Sequence, residues 1–243
     1  MSEWQTSLRP GQTLFLIVLL ALLSACHPQT QPRPAATERP SSAWPGYDYE
    51  ERARTGHSVF QLDPALTRIE IVVRREGPLA RFGHDHVVTI QDPEGFLLLD
   101  AVASGSRADL RFRPDRLSVD ATEARARHGL DTQPDAAAIE GTRKNLLTHV
   151  LDAERWPWAT LELGEFELRG DASSATATVR INGAESSGRQ DFHLQRDGVR
   201  VSVDGLLVIR QTDLGIEPFS TLGGGLRVAD PVEIHFHLEA SRL

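Results

Sequence analysis

Cysteine and lysine are almost absent from this chain, and each absence excludes a class of structure or chemistry. Cys26 is the only cysteine, so the chain forms no disulfide within itself, and burial of apolar side chains has to hold the fold. Lys144 is the only lysine, which nearly removes Schiff-base catalysis from consideration. The formal net charge of -8 argues against a nucleic-acid partner, because neutralising phosphates requires clustered Lys and Arg.

Long apolar runs are missing as well. The longest, residues 14–23, is shorter than the roughly 20 residues that a membrane-spanning helix needs. It ends in Leu23-Ser24-Ala25-Cys26, where small residues precede a thiol. This pattern predicts a lipoprotein signal peptide over residues 1–25 and a lipid-carrying N-terminus at Cys26, with palmitate among the expected acyl groups. The alternative is a buried cysteine in a core segment.

The position after the cysteine predicts where the anchor lies. His27, rather than Asp, follows Cys26. By analogy with lipoprotein sorting in Gram-negative bacteria, we expect a protein of the cell envelope, anchored in the outer membrane and facing the periplasm.

The chain after Cys26 divides into a polar spacer and one folded domain. Residues 27–45 are rich in Pro, Gln, Ser, Thr and Ala, with Trp44 as the only large apolar residue, which is typical of a disordered, semi-extended linker. We therefore expect a lipidated N-terminus and disordered linker over residues 26–56 and a single domain over residues 57–243.

Alternation of apolar and polar residues predicts that this domain is all-β. The pattern is cleanest near the end of the chain, where Val232, Ile234, Phe236 and Leu238 alternate with Glu233, His235, His237 and Glu239. Turn sequences such as Asn182-Gly183 separate the strands, which favours an antiparallel sheet that closes into a barrel or folds into a sandwich. The one helical pattern covers residues 135–151.

Two histidines near the start of the domain are the most unusual local feature. In Gly83-His84-Asp85-His86, a strand over residues 83–90 would place both imidazoles on the face of Val88 and Ile90, towards the apolar side. Three interpretations stay open: hydrogen-bonded core groups, cavity-lining groups that bind a polar ligand head, and two ligands of a metal site. His235 and His237 repeat the spacing but fall on the opposite, solvent-facing side of their strand.

No catalytic motif accompanies these residues. Gly223-Gly224-Gly225 lacks the setting and the ending of a P-loop, and no Gly-x-Ser-x-Gly elbow occurs. Trp156-Pro157-Trp158 either closes the core or caps a cavity mouth, and packing is the usual role of such large aromatics. We therefore predict that the protein is not an enzyme and that it holds no cofactor.

Three segments together resemble the YceI-like family, the lipocalin-like polyisoprenoid-binding proteins of the bacterial periplasm. They are Leu79-Ala80-Arg81-Phe82-Gly83-His84-Asp85-His86, Leu151-Asp152-Ala153-Glu154-Arg155-Trp156-Pro157 and Asp213-Leu214-Gly215-Ile216-Glu217-Pro218-Phe219. The family's helix usually carries Arg-Asp-x-His-Leu, where this chain reads Arg143-Lys144-Asn145-Leu146-Leu147. The resemblance covers roughly residues 59–240.

The resemblance implies an all-β, antiparallel, eight-stranded, lipocalin-like barrel with one short helix, which holds a long apolar chain such as an isoprenoid or a quinone tail. Its motifs and the neighbouring strand supply the candidate ligand-binding residues Phe82, His84, His86, Val88 and Phe219. The expected partners are this apolar small molecule and, through the anchor, a membrane; a homodimer is compatible with both. The alternatives are a metal-binding or redox-linked envelope protein that uses His84 and His86, and a scaffold whose interior is filled by side chains.

Overall fold

The computed structural model describes Trp44, residues 46–170 and residues 172–243 of the chain. The predicted signal peptide, Cys26 and the linker up to residue 43 lie outside the described residues. Within them, no helix is both long enough and apolar enough to cross a membrane.

Strands dominate the described part of the chain, as the alternation predicts. They are β1 (Ser58–Leu62), β2 (Arg68–Val73), β3 (Arg75–Glu76), β4 (His86–Thr89), β5 (Glu94–Leu99), β6 (Arg107–Phe112), β7 (Ser118–Val119), β8 (Ala159–Arg169), β9 (Ala172–Ile181), β10 (Ala184–Arg196), β11 (Arg200–Arg210), β12 (Ser220–Thr221), β13 (Leu226–Val228) and β14 (Pro231–Arg242). The α-helices are α1 (Gly46–Arg54), α2 (Thr122–Arg127) and α3 (Ala136–Asn145), and a π-helical turn, Leu146–Val150, extends α3.

Eight of these strands form a closed antiparallel barrel, in the order β1-β5-β6-β8-β9-β10-β11-β14. Closure comes from β14, whose last residues pair with β1 through Phe60 and Arg242. The predicted eight-stranded antiparallel barrel is therefore confirmed.

The sequence pattern did not predict the branch that joins the barrel at β14. Residues 233–237 of β14 pair with β2. Strand β2 pairs in turn with β4, and β4 pairs with β7. Thus β1 and β2 share one edge of β14, while β11 occupies the whole of its other edge. The short strands β12, β13 and β3 form a separate small sheet.

The predicted helix over residues 135–151 is confirmed as α3 with its π-helical turn. Asp135 caps its N-terminus by accepting a hydrogen bond from the Ala138 N–H at 2.8 Å. Leu146 and Val150 pack against the barrel residues that surround Leu151 and Leu214. The helix therefore covers one end of the barrel.

The predicted boundary at residue 57 is wrong, because helix α1 already belongs to the folded domain. Tyr49 is only 3% exposed and stacks on Phe96 with ring centroids 5.1 Å apart. Its hydroxyl donates a hydrogen bond to the buried carboxylate of Asp109, which also accepts a bond from Arg107 Nε at 2.7 Å. Burial, followed by this hydrogen bond, raises the pKa of the Tyr49 hydroxyl. Folding therefore starts at or before Gly46.

We expect the Tyr49→Phe substitution to lower the free energy of unfolding by about 1.5–3 kcal/mol, because it removes a buried hydrogen bond to a charged group. Urea unfolding followed by circular dichroism measures this change. Glu50→Gln, at an exposed position of the same helix, is the matched control and is expected to stay within about 0.5 kcal/mol of the unmodified chain. Equal stabilities of the two variants would show that the Tyr49–Asp109 bond does not anchor α1.

Candidate binding cavity

The barrel encloses an apolar cavity of about 290 Å³. This volume lies near the lower end of the roughly 300–1,000 Å³ that is usual for small-molecule pockets. The apolar side chains of the wall come from nearly every barrel strand, from the β2–β4–β7 branch and from the end of helix α3. The barrel interior is therefore hollow, and the hypothesis of a scaffold filled by side chains is wrong.

The cavity is elongated along the barrel. Five alternate residues of β14 line it, from Val232 through Ile234, Phe236 and Leu238 to Ala240. Eight residue steps of strand correspond to about 26 Å along β14. At one end lie Phe166 and Leu194, and at the other lie Leu214 and the helix residue Leu146. This shape suits an extended chain better than a compact molecule.

Polar side chains contribute little to the wall. The polar lining residues are Asp109, Thr160, Gln190, Asp191 and Gln211. The Asp109 carboxylate is bound by Tyr49 and Arg107 on the outer side of β6, so it does not face the cavity. The Gln211 side chain donates its amide hydrogen to the Ala229 carbonyl at 2.8 Å. Gln190, which alternates with Phe192 and Leu194, remains as the inward-facing polar group of the wall.

The turn between β9 and β10 holds the helix end over the cavity. Asn182 has a positive φ of 54°, and its side-chain amide donates to the Val150 carbonyl at 3.0 Å. The next residue, Gly183, has no space for a side chain, because a Cβ there would lie 2.4 Å from the Trp156 ring. Trp156 is buried, as its predicted packing role requires.

Of the five predicted ligand-binding residues, the structure places only Val88 in the cavity wall. Phe82 is 63% exposed in a short 3₁₀ turn, and Phe219 lies in the segment before β12. His84 and His86 also lie outside the lining. The residues that do line the cavity are the inward positions of the strands, and their signal in the sequence is the alternation itself.

His86 lies on the predicted face of its strand but outside the cavity. It pairs with Val73, whose side chain lines the cavity, so the predicted face is correct. However, His86 opens β4, and its Nδ1 lies 2.6 Å from Oδ2 of Asp120, which follows β7. The imidazole is therefore held by a carboxylate outside the cavity, rather than by the apolar interior. His84, 6.3 Å away between ring centroids, has a buried Nδ1 without a hydrogen-bond partner in the described part of the chain.

Asp120 is the centre of a buried polar network at the start of β4. Its Oδ1 accepts bonds from the Val87 N–H at 3.0 Å and from Arg125 Nη1 at 2.5 Å. Burial alone would raise the pKa of Asp120, but the hydrogen bonds from His86, Val87 and Arg125 outweigh it and hold the pKa below its usual range. This network stabilises the branch and does not reach the cavity.

The two histidines of the last strand lie on the predicted face, opposite the cavity-lining residues of β14, but they are only partly exposed. The His235 ring lies 4.7 Å from the His128 ring between centroids, and His237 Nδ1 lies 2.7 Å from Asp204 Oδ1. Within the described residues, no group of three or more His, Cys, Asp or Glu side chains is placed to hold a metal ion. The metal-binding hypothesis for His84 and His86 thus finds no third ligand there.

Comparisons with known proteins support the fold. No protein-family profile and no curated protein matches the sequence. Among solved structures, the chain is similar to BcnA of Burkholderia cenocepacia, with a TM-score of 0.55 and 16% identity over 74% of this chain and 99% of that one. It is also similar to a polyisoprenoid-binding domain of Saccharophagus degradans implicated in plant cell wall breakdown, with a TM-score of 0.52 and 13% identity over 76% of this chain and 98% of that one.

A YceI protein of Campylobacter jejuni also matches, with a TM-score of 0.46 and 13% identity over 63% of this chain and 83% of that one. At these identities, the matches to BcnA and to the polyisoprenoid-binding domain show a shared fold. The architecture that the resemblance to the YceI-like family implied is thereby confirmed.

We expect Asp120→Asn to lower the free energy of unfolding by about 3–5 kcal/mol at neutral pH, because it leaves the buried Arg125 guanidinium without its counter-charge. A depressed carboxyl pKa stabilises the fold above the unfolded value of about 3.9, and this stabilisation is lost as the pH falls through the lower, folded-state pKa. When the pH is lowered from neutral to below about 4, the free energy of unfolding should therefore fall less in the variant than in the unmodified chain.

Denaturant unfolding between neutral and acid pH measures both effects. Asp115→Asn is the matched control, because Asp115 forms an exposed ion pair with Arg113 and its loss should cost about 0–1 kcal/mol. If Asp120→Asn costs no more than Asp115→Asn, the network around Asp120 does not stabilise the branch.

Proposed function

We propose that this protein is a non-enzymatic binding protein that holds an amphiphilic molecule with a long isoprenoid chain, or a quinone-like tail, inside its barrel. The observation that carries the proposal is the elongated apolar cavity, lined along the whole of β14. We further propose that the chain is a member of the YceI-like family. The similarity of fold to a domain described as polyisoprenoid-binding supports both proposals.

The apolar wall alone suffices for binding. Burying a methylene group is worth about 0.8 kcal/mol, and association costs about 4–15 kcal/mol. Several isoprene units therefore outweigh the cost of association without a strong polar contact. Affinity then rises with chain length, and the single inward amide of Gln190 has at most a secondary role.

The wall is also unsuited to chemistry. Catalysis by proton transfer or by a nucleophile needs ionisable side chains at the reacting centre. In the described residues, the buried carboxylates Glu70, Asp109 and Asp120 are each bound by arginine or histidine outside the cavity. A role in holding or carrying the ligand fits this separation better than a reaction does.

Extraction of the purified full chain with organic solvent, followed by mass spectrometry, is expected to release a long-chain apolar molecule. We expect Ala177→Phe to lower ligand recovery and affinity about tenfold, because the ring takes up the space of roughly two ligand methylene groups. Binding of geraniol, farnesol and geranylgeraniol by the emptied protein should strengthen in that order.

The matched control is Thr178→Phe. Thr178 follows Ala177 in β9 but faces outward, where its hydroxyl lies 2.7 Å from Ser187 Oγ. Recovery from this variant should equal that of the unmodified chain. A protein that carries no apolar molecule and binds none of the three alcohols refutes the proposed function.

We also propose that Cys26 carries the lipid that tethers the protein to the outer membrane, facing the periplasm. The sequence Leu23-Ser24-Ala25-Cys26 supports this proposal. Labelling of cells with radioactive palmitate is expected to label the unmodified chain and to leave Cys26→Ser unlabelled, with that variant lost from the membrane fraction. Ser24→Ala, which keeps the thiol, is the control. Labelling of Cys26→Ser would contradict the anchor.

A further inference from the structure

One wall of the barrel is incompletely paired. Strand β10 pairs with β9 over residues 184–193, and β11 pairs with β14 over its whole length, residues 200–210. Between themselves, however, β10 and β11 pair only through residues 193–196 and 201–204. Beyond this short ladder the facing edges of the two strands are not joined to each other. We call this gap, between residues 185–192 of β10 and residues 205–210 of β11, the lateral slot.

Solvent reaches inward-facing positions at the lateral slot. Gly188 pairs with Ala177, and Ser186 pairs with Val179, both of which line the cavity. Paired residues of neighbouring strands share a face, so Gly188 and Ser186 face inward. Gly188 is nevertheless exposed, whereas Ala177 is buried. An exposed residue on the inner face means that the wall is open at that point.

Each edge of the slot carries an inward-facing glycine. On β10 this residue is Gly188, and on β11 it is Gly205, which the Phe236 ring covers from within the barrel so closely that a Cβ would lie 2.3 Å from it. The next inward residue of β11, Leu207, lines the cavity and is only partly buried. The cavity therefore borders directly on the slot.

The slot is bounded at both ends. The paired residues 193–196 and 201–204 close one end. At the other, the chain turns after β11 and approaches the start of β10, where the position of a Gly215 Cβ lies 3.8 Å from Ala184 Cβ. The distance between these bounds along β10 is at most roughly 30 Å. Its direction follows the strands, as the long dimension of the cavity does.

The outer edges of the slot differ in character. On β11, the outward-facing Leu206 and Val208 are 52% and 57% exposed. On β10, the outward-facing residues are polar and exposed: Glu185, Ser187, Arg189 and Asp191. An amphiphile meets an apolar edge for its chain and a polar edge for its headgroup.

We propose that the lateral slot is the portal through which the ligand's apolar chain passes into and out of the cavity; this inference rests on the proposed function. The two ends of the barrel are obstructed, one by Leu146 and Val150 of the helix and the other by the cluster around Phe60 and Phe166. A slot parallel to the cavity admits an extended chain sideways, without threading it through an end.

The test is to plug the slot with Gly188→Trp and to measure binding rates. The position accepts a side chain, because the nearest atom to a Cβ there is the Gln190 amide nitrogen at 3.6 Å and the backbone is not in the left-handed region. Gly164→Trp is the matched control. Gly164 has no atom within 4 Å of its Cβ position and pairs with Thr176, on the outer face of β8.

Stopped-flow fluorescence of the full chain with an anthraniloyl-tagged geranylgeranyl probe gives both rate constants. In Gly188→Trp we expect the dissociation rate constant to fall roughly tenfold and the association rate constant to fall by at least as much, so that Kd stays the same or rises. A blocked route slows passage in both directions, whereas a ring that only takes up ligand space, as in Ala177→Phe, speeds dissociation. Gly188→Leu should slow both steps less than Gly188→Trp, and Gly164→Trp should match the unmodified chain.

Ser186→Trp, a second plug on the same edge, serves if Gly188→Trp does not fold, and it should slow both steps in the same way. Rates equal to those of Gly164→Trp overturn the portal, as does a higher Kd caused by faster dissociation alone, because that result places the new ring in the ligand's space. Failure of the unmodified chain to bind the probe is a different result, which refutes the proposed function itself.

Discussion

The hydrogen-bond ladder of β14 is the constraint on which the rest of the structure depends. A sheet that ends in unpaired edges exposes backbone donors and acceptors, and closure removes those edges. Here one long strand pairs with β11 on one side and with β1 and β2 in turn on the other. The same strand supplies inward residues along the full length of the cavity. Barrel closure and one full-length strip of the cavity wall therefore come from a single stretch of alternating sequence.

The hollow interior follows from the size of the side chains that face it. The wall consists mainly of Val, Ile, Leu and Ala, and no Trp or Tyr side chain belongs to it among the described residues. Five phenylalanines also line the cavity, but the buried Tyr49 and Trp156 pack elsewhere: Tyr49 attaches α1 to the outer surface, and Trp156 packs on the Gly183 turn. Close packing is the rule in protein interiors, so an unfilled apolar core lacks the contacts that a ligand restores. An apolar occupant stabilises this fold by the same contacts that bind it.

The sequence predicted the strands and the helix that depend on periodicity, but it did not predict contacts between residues far apart in the chain. Alternation located β14 and its inward face, and Asp135 with the apolar positions after it located α3. The buried polar networks cannot be predicted from the sequence, because only the pairing of β4 with β7 brings His86 close to Asp120. Phe82 and Phe219 belong to motifs outside the strands, where no β-pleat determines the direction of a side chain. Helix α1 is not predicted from the sequence, because its polar composition hides the buried Tyr49.

Stability and opening are assigned to different parts of the wall, the branch on β14 and the slot between β10 and β11. The branch is held by Asp120 and by Glu70, a 2% exposed carboxylate bound by Arg127 and His128. No comparable network joins the described residues of β10 and β11 along the lateral slot, and the β10 edge there is Ala-Glu-Ser-Ser-Gly, small and polar. Segments with exposed backbone and few apolar contacts open at low free energy. A ligand that contacts Leu207 and Ile209 from inside the cavity would bury them, and so would stabilise the β11 edge of the lateral slot.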